Sequence, residues 1–496
     1  MMKRQKGSVT VFAALSMMLV ASLLLALLES ARVYGLDTCA GLLADLGIES
    51  VCGEYQEKLW KEYRLLCLDG AYGTDDFSID RVSGKLYEHL SANLTREDRG
   101  INLLELQPSA VMPVSYELLT DGDGSVFFEA VSSYMKQNLP REAAERILEN
   151  YQNGLAAEKE SDGYSVENAS DTIEKALEER KAAEDGEGDG SSTEVEEGPQ
   201  EVEENPLEIV LQLKQNAVLG MVVEQVETLS TSQISLEESL THRKLEKGNG
   251  TAERDTEWYE RILVLEYAGE YFSDYTKPAT DHALAYELEY LLCGKANDKA
   301  NLEGTVIRLL ALREAANIIH IVGDSGKMNN ALLLAEALAG FTGNVAIIKV
   351  VQAGIVAAWA YVESIQDVRA LLAGDKIALI KSREQWTVDT ENLLSSFQGT
   401  SKAKDCSNGL SYQNYLKMLL FTKSQKELAY RMMDIMEQNL RLTPLYQDCR
   451  LDYMICGLRY DVEFSAAPIF SRLVTIGKFK EKQLLFWKTT EFSYIS

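Results

Sequence analysis

From Gly7 to Leu28 the chain runs for 22 residues, GSVTVFAALSMMLVASLLLALL, without a single charge. No other stretch restricts the fold so strongly. A helix of about 20 apolar residues is long enough to cross a bilayer core. Inside lipid the backbone must satisfy its own amides and carbonyls, so a helix is the expected form. Lys3, Arg4 and Lys6 precede the run. By the positive-inside bias they hold the N-terminal tip in the cytoplasm. Glu29 and Arg32 mark the far edge, so the rest of the chain is expected outside the cell membrane. A cleaved signal peptide has a shorter apolar region of about 7–15 residues ending at small residues. Here the run is longer and closes on Leu-Leu-Glu-Ser-Ala, which favours an uncleaved, single-pass anchor with the lipid bilayer as its first partner.

The remainder has the composition of a folded chain. With 496 residues and 46% hydrophobic content, it has room for two or more domains. The formal charge of −28, from 77 acidic and 49 basic residues, argues against nucleic acid or anionic lipid as a partner. Residues 158–204 hold 18 acidic and 4 basic side chains, a local net of −14. Between Glu184 and Glu204 there are ten acids and no base. A stretch of this kind buries too little apolar surface to offset its ordering entropy, so a disordered, self-repelling linker is expected, with a short helix at Asp171–Lys181. The seven cysteines, Cys39, Cys52, Cys67, Cys293, Cys406, Cys449 and Cys456, contain no C-x-x-C pair. They read as buried thiols, with room for one or two bridges outside the cell.

Periodicity places the elements. Helix-like spacing continues past the anchor from Ala40 to Leu68, suggesting an external stalk that Asp69-Gly70 and Gly73 break. Leu103–Leu119 reads as extended and Asp121-Gly-Asp-Gly124 as a turn. The turn resembles part of a calcium loop, but the later Glu is out of register. Phe127–Tyr151 reads as an amphipathic helix. Pro206 after Asn205 suits a first helical turn. Helices are expected at Trp258–Phe272, His282–Cys293, Leu302–Ile321, Met328–Gly340, Asn344–Ala373 and Tyr412–Asn439. Val350–Val362 is apolar but lies between Lys349 and Glu363. It is too short to span and suits a buried bundle helix, with Ala353, Gly354, Ala357 and Ala358 permitting close approach. Ile377–Ile380, Leu451–Phe464, Leu473–Ile476 and Leu484–Trp487 read as strands. The strands near Val111–Leu118 and Tyr453–Phe464 are expected to pair, with the helical block inserted between them.

No chemical motif survives inspection. His89, His242, His282 and His320 are isolated, and no H-E-x-x-H is present. His320 reads as a packed core histidine. Gly323-Asp-Ser-Gly-Lys327 lacks phosphate-loop spacing; Asp324 or Ser325 reads better as a helix cap. Neither a nucleophile elbow nor a convincing Cys/His pair appears. Arg308, Arg313, Glu314, Glu336, Lys349 and Glu363 sit among long apolar runs, where internal ion pairing is the ordinary outcome and a functional site the rarer one. The expectation is therefore no catalytic, cofactor-binding or metal-binding residue.

The opening Lys6-Gly7-Ser8-Val9-Thr10-Val11-Phe12, directly before an apolar helix, resembles the start of TadE/TadG-like pseudopilins of the tight-adherence (Tad, or Flp) pilus system. More of the chain resembles an uncharacterised family of Gram-positive bacteria whose genes accompany Tad pilus genes. The resemblance is carried by Leu27-Leu-Glu-Ser-Ala-Arg32, Ala285–Gly294, Arg313-Glu-Ala-Ala-Asn317, Ala339–Asn344, Trp359–Gly374 and Gly409–Tyr415. It implies Tad pilus or secretion components as partners. It also implies a prepilin peptidase that would cut between Gly7 and Ser8. The fifth residue after that cut is usually Glu and is Phe12 here. A processed subunit and an uncut anchored accessory protein both fit.

The expected fold is α+β and predominantly α-helical. A tip and anchor (1–30) lead into a membrane-proximal α+β region (31–157), an acidic disordered linker (158–205), a helical bundle (206–440) and a β-rich C-terminal region (441–496). The expected function is a non-enzymatic, pseudopilin-like envelope protein that assists assembly or display of a Tad-type pilus or secretion system. The alternative is an extracytoplasmic sensor or ligand-binding protein.

Overall fold

Because the first apolar run has no polar face and the next thirty residues have an apolar stripe, one helix can serve two surroundings. In the computed structural model, which describes residues 5–94, 104–161, 163–186, 205–250, 256–388, 402–470 and 483–495, α1 (Gln5–Cys52) is a single helix of 48 residues. At about 1.5 Å per residue it is roughly 72 Å long. No described side chain from Val9 to Leu28 is buried. From Glu29 onward, Arg32, Leu36, Ala40, Ala44, Ile48 and Val51 are buried, at the three- and four-residue intervals of one helix face. The expected anchor thus runs unbroken into the first part of the expected stalk, but the helix ends at Cys52 and not at Leu68, and a separate short helix, α2, spans Glu57–Tyr63. The first half of α1 is long and apolar enough to cross a membrane and is compatible with a single anchor.

The chain forms two compact units, both discontinuous in sequence. The first comprises Met1–Tyr134, Lys244–Asp255 and Leu440–Ser496; the second comprises Met135–Arg243 and Thr256–Asn439. In the first unit an antiparallel sheet is built around β3 (Met454–Ala466). β2 (Leu106–Leu118) pairs along its length, with Val111 opposite Val462 and Leu118 opposite Ile455. That leaves the other edge of β3 to β1 (Leu68–Asp69), at Met454 and Ile455, and to β4 (Leu484–Ser493), from Gly457 to Ala466. The expected pairing of strands from both ends of the chain is therefore present. Register shifts fall beside Pro108 and Pro113, because proline has no amide to give the ladder. Leu458, Tyr460, Val462, Phe464 and Ala466 alternate inward from β3 to meet the buried stripe of α1 and Val82, Leu86 and Leu90 of α3 (Ile79–Leu94). Gly47 makes that contact close, since a Cβ there would lie 2.7 Å from the Leu90 side chain. The Asp121–Gly124 turn is real and left-handed, with positive φ at Gly122, Asp123 and Gly124. Asp121 is structural: it accepts the amides of Leu118 (2.8 Å) and Gly248 (3.0 Å).

The second unit is helical. α11 (Asp298–Gly323) and α13 (Val345–Leu372) form its centre. Around them pack α5 (Arg141–Glu160), α6 (Val166–Gly186), α7 (Pro206–Lys214), α8 (Val218–Val222), α10 (Glu287–Cys293) and α12 (Ser325–Ala339). α9 (Trp258–Tyr271) packs on α5, and α14 (Tyr412–Leu420) on α9, α10 and α11; α15 (Gln425–Arg441) follows in the chain. Asn205 caps α7 with Pro206 in its first turn, and Asp324 caps α12. Val350–Val362 lies within α13, whose residues 354–368 are buried without a break. A Cβ at Gly354 would come 2.1 Å from that of Ala169, the close approach expected of small residues.

Several boundaries differ from expectation. The helical unit begins at Met135, not 206, and residues 244–250 return to the sheet-bearing unit. The presumed linker 158–205 is helix over Val166–Gly186. Its acids share that helix with an inward face that includes buried Val166 and Ala169, so packing supplies what composition averages away; residues 187–204 lie outside the described residues. Pro140 splits the expected Phe127–Tyr151 helix into α4 (Asp121–Met135) and α5. Ile377 makes only a bridge to Leu410. The expected strand Leu473–Ile476 lies outside the described residues.

Candidate functional site

Two places hold the residues singled out by sequence. The first is the start of α1. Lys3 and Arg4 lie outside the described residues. Lys6, Gly7 and Ser8 are within the helical backbone of α1, and the fully exposed apolar surface begins directly after them, with Phe12 73% exposed. At the other end of the run Glu29 does not face solvent. It is ion-paired with Arg32 at 3.1 Å and accepts the amide of Phe470 at 2.6 Å. A carboxylate that ends an apolar run is thereby compensated within its own unit.

The second place is the middle of the helical unit. Arg313 of α11 is fully buried. Its Nε donates to Asp367 Oδ2 at 3.0 Å, and its Nη1 donates to the carbonyls of Ala378 and Leu379 and to the Tyr415 hydroxyl at 2.8–3.0 Å. Asn317, one turn along, donates to Ser364 and Asp367, both at 3.0 Å. Lys381 reaches Asp367 Oδ1 at 2.5 Å and also pairs with Glu363. Glu363 accepts the Thr387 hydroxyl at 2.7 Å and the Val388 amide at 2.9 Å. Two cations and two anions thus close on one another. Burial would raise the Asp367 carboxyl, but Arg313 and Lys381 overturn this and hold it below its usual range. The cluster fastens segment 376–388 across α11 and α13. His320 joins it from outside: half-buried, it stacks on Trp386 at 4.8 Å and contacts the Lys381 carbonyl at 2.8 Å.

Of the six charges flagged in apolar runs, Arg313 and Glu363 belong to this centre. Arg308 donates to the Leu292 carbonyl at 2.9 Å. Burial pushes the Glu314 carboxyl up to about 7. Glu336 and Lys349 face solvent. A second group of buried acids was not singled out by sequence. Glu287, Glu289 and Asp298 are fully buried and accept from Ser273 on Glu287, from Tyr275 and the α14 residue Tyr412 on Glu289, and from Ser230 and Ala285 on Asp298. Burial raises Glu289 to about 8 and Asp434 to about 7. The signal for Glu287 and Glu289 was the pair of acids in the half-apolar string Ala285–Gly294, which helix periodicity alone does not interpret. Among the described residues no three His, Cys, Asp or Glu side chains are grouped as metal ligands. One surface cleft of about 390 Å³ is lined by Leu155, Glu158, Arg308, Lys423 and Glu427 among others.

Fold and site together define a class: an α+β protein with one long exposed N-terminal apolar helix, a sheet gripping the second half of that helix, and a helical unit closed over an ionic centre. Within it, the chain belongs to a family of unknown function, DUF5702, which matches residues 196–466. The matched stretch contains the whole ionic centre and β3 but not α1. Among curated proteins and among solved structures, none matches the chain.

Proposed function

We propose that the protein is a non-enzymatic, pseudopilin-like envelope component, anchored by α1 with its N-terminus in the cytoplasm and its bulk outside, that assists assembly or display of a Tad-type pilus or secretion system. The observation that carries this reading is the division of α1. A subunit that hands its helix to lipid or to a helical partner needs an apolar half free of its own chain and a head that holds the other half firmly. Val9–Leu28 is unburied, and the stripe from Glu29 to Val51 is packed on a sheet. The sealed pairing of Arg313, Asp367, Lys381 and Glu363 supports a scaffold role for the centre of the helical unit. The prepilin peptidase enters as the enzyme that would cut at Gly7–Ser8. Co-expression with the peptidase of the same pilus system, followed by N-terminal sequencing and affinity capture, tests the reading. A new N-terminus at Ser8, or captured pilus components, supports it; an intact N-terminus with no pilus component overturns it.

A sensor or ligand-binding protein is the second reading, favoured by a cleft of about 370 Å³ beside Tyr275, Pro278 and Tyr286. A thermal-shift screen with cell-wall fragments and small metabolites tests it, and no stabilisation by any of them removes it.

A further inference from the structure

The sheet-bearing unit is assembled from segments far apart in sequence, and nothing covalent near the sheet joins its first segment to its last. Two cysteines sit where such a join can be made. Cys67 immediately precedes β1, whose Leu68 lies opposite Ile455 in an antiparallel ladder. The same register sets Cys67 opposite Cys456 on β3. Their Sγ atoms are 3.4 Å apart, across 389 residues of sequence. Both are fully buried. Directly opposed residues in an antiparallel pair have the backbone separation a disulfide needs, so closing to about 2.05 Å requires only side-chain rotation and a small shift.

We propose that Cys67 and Cys456 form a disulfide in the exported protein, a staple between the N-terminal segment and the C-terminal strand around the inserted helical unit. The inference rests on the extracytoplasmic placement proposed above, because disulfides persist in oxidising compartments. Chemically, the two thiols lose two protons and two electrons and gain one S–S bond. The acceptor is a disulfide-bearing oxidant, protein or small molecule, which passes through a mixed disulfide and leaves as its dithiol. The facing Cys67 and then burial push the Cys456 thiol well above its usual range. Exchange therefore takes place while β1 and β3 are still coming together, and the closed protein shields the bond from reductant. The other cysteines differ. Cys39, Cys293 and Cys406 are only half-buried.

The test uses the full-length chain in membranes of cells that export it. Free thiols are blocked with N-ethylmaleimide in denaturant without reductant; the remaining cysteines are then reduced and marked with an isotopically heavy maleimide. Cys67 and Cys456 are expected to carry the heavy label. Without reduction, tryptic peptides 65–81 and 451–459 are expected as one linked species. Light label on both cysteines overturns the proposal. A second measurement is the Tm of the full chain with and without reductant. The difference is expected to be roughly 5–10 °C and to vanish in the Cys67→Ala/Cys456→Ala variant; the labelling result on the unaltered chain stands even if that variant fails to fold. Placement is read separately, by labelling an exposed Glu145→Cys variant in intact cells with a membrane-impermeant maleimide. Labelling there with light-labelled Cys67 and Cys456 sinks the staple alone. An unlabelled Glu145→Cys sinks the placement, and the peptide masses still decide the staple.

Discussion

Among the described residues, two helices are long and apolar enough to cross a membrane, α1 and α13. They meet different fates. None of the most apolar stretch of α1 is buried within the protein, whereas 56% of that of α13 is. The difference lies in what interrupts each helix. α1 carries no charge across Gly7–Leu28 and no residue that demands a protein partner. α13 carries Glu363 and Asp367, each fully buried and each matched by a cation. It also carries Gly354, against which α6 closes to van der Waals contact. Apolar length permits a span; paired charges and small residues commit a helix to a protein interior.

That comparison can be broken. The largest effect is expected from Asp367→Ala, which leaves Arg313 and Lys381 short of an anion in a sealed site. Chemical unfolding of the full chain should show the helical unit destabilised by about 3–5 kcal/mol, with membrane retention unchanged. The opposite pattern is expected for Leu19→Lys in α1. A central lysine costs about 2.5–3.5 kcal/mol on insertion, so the membrane-bound fraction should fall while the unfolding of both units stays within about 0.5 kcal/mol. If Leu19→Lys unfolds the protein instead, α1 is a core helix and the contrast fails.

Two smaller effects sharpen it. Asp367 is held low by its cations, whereas Glu289, buried without one, is raised to about 8. A carboxyl raised in the folded state stabilises the fold below its unfolded value of about 4.3 and loses that contribution as pH rises toward 8. Stability should therefore fall between about pH 5 and pH 8 by an amount on the order of 3–4 kcal/mol, and Glu289→Gln should flatten the slope measured by urea unfolding. Gly354→Leu should overpack α6 against α13 and cost about 1–3 kcal/mol; Gly47→Leu should do the same between α1 and α3. A thermal melt unmoved by either would show that these approaches are not tight.

Much of the fold was legible in residue order. The long apolar N-terminal helix, the helices from Trp258 to Ala373, the caps at Asn205 and Asp324 and the extended character of the strands that pair all follow from patterns within a few residues. The candidate site was legible only in outline. Arg313 and Glu363 stood out as charges in apolar runs, but their partners Asp367, Lys381 and Tyr415 come from other parts of the chain, and no periodicity links them. Within the acid-rich stretch before Pro206, α6 runs past both ends of the expected Asp171–Lys181 helix, because average composition hides a one-sided face such as that of Val166 and Ala169.

The sequence by itself determined where the chain can leave water: 22 uncharged residues cannot be solvated as a helix at little cost, whatever the rest of the protein does. It also determined which segments could be helix or strand, since those choices depend on neighbours within a few residues. Only the tertiary structure decided that a four-charge centre closes without solvent and that Cys67 faces Cys456 across 389 residues. Each is a meeting of groups distant in sequence, fixed by the packing of whole elements.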